Sequence, residues 1–257
     1  MAIWQQSVGV GEDIVVLHGW GMNANVWSPL INGLSSDKRI TAVDLPGFGD
    51  SHDELFSANL EDVSAALLAV LPQRFHLIGW SLGGLVATEM ALRAPDRIAT
   101  LTTVASSPCF VEQPQWPGIK SALLQQFQRQ LSKDFKQTVE RFLAVQAMGS
   151  PHAKEQIKQV REWVFSKPMA NPESLRNGLS ALQTTDLRAH LSSLNMPLYR
   201  IYGRLDSLVP ASVIPLVDKL APDSDAMLYR QSAHMPFVSA TSEFVEQYRR
   251  FLNRHQR

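Results

Sequence analysis

Six short apolar, β-branched runs recur along the chain, at residues 14–18, 40–45, 75–80, 98–105, 198–202 and 226–229, each closed by Gly, Pro or polar residues. Near-continuous apolarity over so few residues suits strands buried on both faces of a parallel sheet. Helical patterns fall between them: residues 60–71 repeat apolar side chains at helical spacing, 82–94 stop at Pro95, 211–220 stop before Pro222, and 241–253 follow the last run. Parallel neighbours need a crossover, and a helix is the ordinary one, so the alternation predicts an α/β sheet covered on both faces.

The alternation stops between Glu112 and Thr185. That stretch reads as four amphipathic helices, 119–131, 134–148, 151–165 and 172–183, separated by Pro114, Pro117, Gly149-Ser150-Pro151 and Lys167-Pro168. The strand pattern resumes at Pro197. The expected organisation is a core of residues 1–111 and 186–257 with a helical cap at 112–185, inserted over the carboxyl edge of the sheet, where open α/β folds bind ligands.

Composition narrows the function. Over 257 residues, 24 Lys and Arg balance 24 Asp and Glu, so no overall charge draws the chain to nucleic acid or an anionic membrane. The single cysteine, Cys109, excludes an internal disulfide framework and a multi-cysteine zinc site, and reads as a small packing residue. The first twenty residues lack a basic region, and their apolar run is far shorter than the ~20 residues that span a bilayer. A cytoplasmic location is the expectation.

Gly79-Trp80-Ser81-Leu82-Gly83 fits G-x-S-x-G and sits where that pattern acquires meaning, after a strand and before a helix. A serine on so sharp a turn projects its hydroxyl outward, and the N–H of Leu82 lies at a helix N-terminus where it can donate to a negative oxygen. A serine hydroxyl is a weak nucleophile at neutral pH, so this reading demands a base and a group that orients it. Asp206 follows the strand 198–202 and His234 follows the strand 226–229, so all three residues fall on loops at one edge of the sheet. Alone, Asp206 would equally be a turn former and His234 an exposed loop histidine. Together, the order Ser81, Asp206, His234 is that of α/β-hydrolases, and no other histidine lies on a late post-strand loop with an upstream acid.

A second oxyanion donor is expected on the loop after the first buried run, His18-Gly19-Trp20-Gly21, where the N–H of Trp20 is the candidate. Asp44, in a turn-rich stretch, reads as structural. The implied chemistry is acyl transfer from an ester to water. No metal or redox cofactor is expected, because neither H-E-x-x-H spacing nor a dinucleotide glycine fingerprint occurs. Residues 120–167 hold nine Lys or Arg against four acids, a local net of +5 that suits an acidic partner, although such charges also make ordinary solvated helix faces. Phe142, Leu143, Val145, Met148, Trp163 and Phe165 alternate with those charges and would form cap core or an apolar acyl trough.

These segments, with Val104-Ala105-Ser106-Ser107-Pro108-Cys109-Phe110, Trp116-Pro117-Gly118-Ile119-Lys120 and Thr138-Val139-Glu140-Arg141-Phe142-Leu143-Ala144, resemble the pimeloyl-acyl-carrier-protein methyl ester carboxylesterases of biotin synthesis, nearly end to end. The resemblance implies the α/β-hydrolase fold and hydrolysis of the methyl ester on pimeloyl-acyl-carrier protein. Carried over by position, the substrate contacts are Trp20, Ser81, Leu82, Phe142, Leu143, Ala144, Val145, Gln146 and His234. It also implies a carrier protein bearing phosphopantetheine as partner, held by Arg141, Lys154 and Lys158. Gln137 is uncharged where the family pattern has an arginine, and the two lysines bring point charges where a guanidinium fork can stand. A monomer is expected, with no nucleic-acid or membrane partner. Two other readings stay open from the residues alone: a short-chain carboxylesterase with no carrier requirement, and a non-catalytic receptor of the same fold.

Overall fold

A computed structural model describes residues 3–255. Its centre is a seven-stranded sheet built from β1 (Gln5–Val8), β2 (Glu12–Leu17), β3 (Lys38–Val43), β4 (Phe75–Trp80), β5 (Ile98–Val104), β6 (Leu198–Gly203) and β7 (Asp225–Tyr229), in the order β1-β3-β2-β4-β5-β6-β7. All neighbours are parallel except β1, which pairs antiparallel with β3. The inner strands β4 and β6 are buried along their whole length, as crossover helices on both faces require.

The helices are α1 (Ser28–Leu34), α2 (Leu60–Val70), α3 (Leu82–Arg93), α4 (Ser121–Leu131), α5 (Phe135–Ala147), α6 (Ala153–Phe165), α7 (Pro172–Thr184), α8 (Ile214–Leu220), α9 (Pro236–Ser239) and α10 (Thr241–Arg254). Local chemistry sets several ends. Asn59 caps α2 through Glu61 N–H and Asn171 caps α7 through the N–H groups of Glu173 and Ser174, with Pro172 in the first turn, where its missing N–H costs nothing. No helix among the described residues is long and apolar enough to cross a membrane.

All six expected runs become strands. The second lies at Lys38–Val43 rather than 40–45, because Lys38 belongs to the ladder and pairs with Glu12 on β2 at 2.6 Å. Strand β1 has no counterpart in the expectation: its sequence Gln-Gln-Ser-Val is polar and exposed, and pairing with β3, through the backbone and the 2.8 Å bond between the Ser7 and Thr41 hydroxyls, makes it a strand. Helices α4 to α7 lie between β5 and β6, and the chain enters and leaves this segment side by side, through a bridge between Cys109 and Asp186.

Candidate active site

Ser81 joins β4 to α3 with φ +54° and ψ −118°, a conformation that costs a non-glycine residue about 1–3 kcal/mol. The surroundings hold it there: its N–H donates to the Val104 carbonyl at 2.9 Å, and its carbonyl accepts from Gly84 N–H at 2.8 Å and the Ser106 hydroxyl at 2.9 Å. Both glycines of the motif are needed for close approach. A Cβ on Gly79 would lie 2.2 Å from the Gly83 carbonyl oxygen, and one on Gly83 would lie 2.5 Å from that of His18. Helix α3 is thus pressed onto the sheet with its first N–H, that of Leu82, left without an intrahelical acceptor.

Asp206 and His234 meet across 28 residues of chain. His234 Nδ1 lies 2.7 Å from Asp206 Oδ2, and the other carboxylate oxygen accepts from the N–H groups of Leu208 and Val209 at 2.8 and 3.0 Å. The carboxylate is therefore fixed in rotation, so its free edge dictates the imidazole plane. Gly203 lets the two loops close on each other, since a Cβ there would lie 1.9 Å from the Ala233 carbonyl oxygen. His234 is fully buried, and its Nε2 has no hydrogen-bond partner. Asp206 accounts for Nδ1–H, which makes Nε2 the basic nitrogen. The indole N–H of Trp80, the residue before Ser81, donates to the His234 carbonyl at 2.8 Å and ties the histidine loop to the serine turn.

The His18–Gly21 loop runs against the same turn, with a Cβ on Gly19 placed 3.3 Å from that of Ser81. Leu45 N–H donates to His18 Nε2 at 3.0 Å, so the ring's proton sits on Nδ1 and is donated to the Gly19 carbonyl at 2.8 Å. Burial lowers the His18 pKa to about 4, against the pull of Asp44, so the ring is neutral and holds the loop as a fixed strut. Trp20 is buried, its indole N–H bonded to the Leu175 carbonyl at 2.8 Å and its ring edge-on to Phe142 at 4.8 Å.

Phe142, Leu143 and Gln146 are buried on α5, whereas Val145 is half-buried and Ala144 faces outward. Met148, expected with the apolar stripe, is 56% exposed, because α5 ends at Ala147 and the next residue leaves the helical face. Arg141 on α5 and Lys154 and Lys158 on α6 are exposed, with no salt bridge among the described residues. Two members of the positive stretch are not free: Arg161 pairs with Glu140 at 3.0 Å, and the half-buried Lys167 is held between Asp44 and Asp50. Sequence reasoning also missed the backbone bond from His234 N–H to the Gln146 carbonyl, 3.1 Å. No local pattern announces it. Cys109 is buried, which raises its thiol pKa, in keeping with a packing role.

The fold is that of an α/β hydrolase, and the α/β-hydrolase fold family matches residues 14–241. Among solved structures, an esterase from Exiguobacterium antarcticum superposes with a TM-score of 0.88 at 20% identity, covering 98% of this chain and 95% of its own. Two relatives are named pimeloyl-acyl-carrier-protein methyl ester esterase. The one from Aliivibrio salmonicida is 50% identical over 251 residues, 98% of this chain and 96% of its own length. The one from Vibrio cholerae is 46% identical over 254 residues, 99% of each. The chain belongs to this family of esterases within the α/β hydrolases.

Proposed function

We propose that this protein is a serine carboxylesterase that hydrolyses the methyl ester of a pimeloyl chain carried on acyl carrier protein, releasing methanol in biotin synthesis. The observation that carries the reading is 50% identity over 98% of the chain to a relative of that name. The site chemistry agrees with it. His234 Nε2 takes the proton of Ser81, whose oxygen attacks the ester carbonyl and forms a tetrahedral oxyanion bonded by the N–H groups of Trp20 and Leu82. Asp206 stabilises the imidazolium. The imidazolium then protonates the leaving methoxide, and methanol departs from an acyl-Ser81 ester. Water, deprotonated by His234, attacks that ester; the imidazolium returns the proton to the departing Ser81 oxygen, which restores the hydroxyl and frees the acid, ionised at neutral pH.

In this reading the helical segment 112–185 is a cap, and Phe142, Leu143, Val145 and Gln146 supply its contacts to the acyl chain, whereas the exposed Ala144 stands off it. Arg141, Lys154 and Lys158 attract the acidic carrier, and the enzyme acts as a cytoplasmic monomer without cofactor. Steady-state rates on the carrier-linked methyl ester and on a free short methyl ester, at low and high salt, test it. Charge reversal of the three cations should lower kcat/KM for the carrier-linked ester by roughly tenfold or more at low salt, with a smaller effect at high salt. Equal rates in the variant and the parent would remove the docking role. A parent enzyme with no preference for the carrier-linked ester would be a general carboxylesterase.

A further inference from the structure

Two non-glycine residues at the ends of neighbouring strands share a strained backbone: Ser81 after β4 at φ +54° and Ala105 after β5 at φ +44°. Ala105 N–H donates to the Ile201 carbonyl on β6 at 2.8 Å, which anchors the strained residue in the sheet. The residues on its two sides both face Ser81. Before it, the Val104 carbonyl accepts from Ser81 N–H at 2.9 Å, and after it the Ser106 hydroxyl donates to the Ser81 carbonyl at 2.9 Å. Strain of this kind persists only where the surroundings overdetermine it, and it gathers at working sites. Here it turns the chain so that a backbone acceptor and a side-chain donor grip both backbone polar groups of the candidate nucleophile.

Ser106 is 5% exposed and packs on the first turn of α3. Gly84, which lies outside the G-x-S-x-G pattern, admits it: a Cβ there would lie 2.4 Å from Ser106 Oγ and 2.5 Å from its Cβ. The Ser81 carbonyl also accepts from Gly84 N–H at 2.8 Å and from Leu85 N–H at 3.3 Å. Those donors belong to α3, whereas Ser106 arrives from the loop after β5. Donors on two separate elements stop the peptide from tilting, a motion that the helix bonds alone allow. The Ser81 carbonyl and the Leu82 N–H are the two ends of one trans peptide, so they point opposite ways and move together. A hydroxyl that fixes this carbonyl therefore also fixes the direction in which Leu82 N–H points.

We propose that Ser106 is a positioning residue for the oxyanion donor Leu82 N–H, acting through the Ser81 carbonyl. The inference rests on the esterase reading above. The Ser106→Ala variant tests it, assayed on a free short methyl ester and with a trifluoromethyl ketone inhibitor. The ketone carbon bonds to the Ser81 oxygen, the serine proton passes to His234, and the ketone oxygen becomes the oxyanion. In the variant kcat should fall by roughly 10- to 100-fold, less than the roughly 10²–10³ for a donor removed outright, with KM within about twofold of the parent. The inhibition constant of the ketone should rise by the factor by which kcat/KM falls, because the adduct uses the same oxyanion donors. The Ser81 carbonyl keeps its α3 donors, so no buried acceptor is orphaned and Tm should fall by only a few degrees. A kcat within about twofold of the parent would make Ser106 a packing residue and overturn the proposal. A fall in kcat with unchanged ketone affinity would also overturn it, by placing the effect outside the oxyanion site. A parent enzyme that neither cleaves the ester nor takes up the ketone at Ser81 would overturn the esterase reading, and this proposal with it.

Discussion

Lys167 Nζ lies 2.8 Å from Asp44 Oδ2, joining the segment between α6 and α7 to the loop after β3. The same ammonium reaches Asp50 Oδ2 at 2.9 Å and stands 3.0 Å from the centre of the Trp4 ring. Asp44 also accepts from Ala24 N–H at 2.6 Å and Asp50 N–H at 2.8 Å. One buried carboxylate thus fastens the helical segment to two loops of the core.

Removing only the cation strands that carboxylate. Lys167→Met should cost about 3–5 kcal/mol, the range for breaking a buried pair, and adding Asp44→Asn should recover part of it. Urea unfolding of the single and double variants measures both. A double variant as unstable as the sum of the singles would show that charge pairing is not the cause.

Ser81 carries the chemistry in the proposed mechanism. Ser81→Ala should lower kcat by about 10⁴–10⁶ with the fold intact, and should abolish the adduct formed with an organophosphonate ester. Mass mapping of that adduct to the peptide holding residue 81 checks the assignment; labelling elsewhere would refute it.

Asp206 holds His234 in one tautomer through the 2.7 Å contact at Nδ1. Asp206→Asn keeps an oxygen for the Leu208 and Val209 N–H groups but turns an amide toward the ring. It should reduce kcat by roughly 10⁴ while leaving Tm nearly unchanged. A loss under tenfold would mean that another group orients the imidazole.

His18 makes stability pH-dependent. Its folded pKa of about 4 lies below the ordinary 6.5, because burial penalises the charged ring and the Lys167 ammonium repels it, against the opposing pull of Asp44. The unfolded chain binds a proton that the folded chain refuses, so stability is full above about 6.5 and is lost as pH falls through about 4. The loss should approach about 3 kcal/mol, from roughly 1.4 kcal/mol per pKa unit. In His18→Gln, which retains an acceptor for Leu45, denaturant unfolding at pH 7 and pH 4 should show a smaller difference than in the parent. The same difference in both would place the acid sensitivity elsewhere.

By itself the sequence determined the sheet and the loops that carry Ser81, Asp206 and His234, because strand periodicity, glycine spacing and chain order are local properties. Alternating runs and crossovers leave little choice of topology, and post-strand loops then fall on one edge. Only the tertiary structure decided which cations are free: Lys167 reads as one more surface charge until Asp44 and Asp50 close around it. It likewise decided β1, whose polar residues become a strand only by pairing with β3. The bonds from Trp80 and Gln146 to His234 link segments far apart in the chain, and so does the burial that divides Phe142 from Ala144. Such contacts depend on distant segments arriving at one place, and no window of neighbouring residues encodes that arrival.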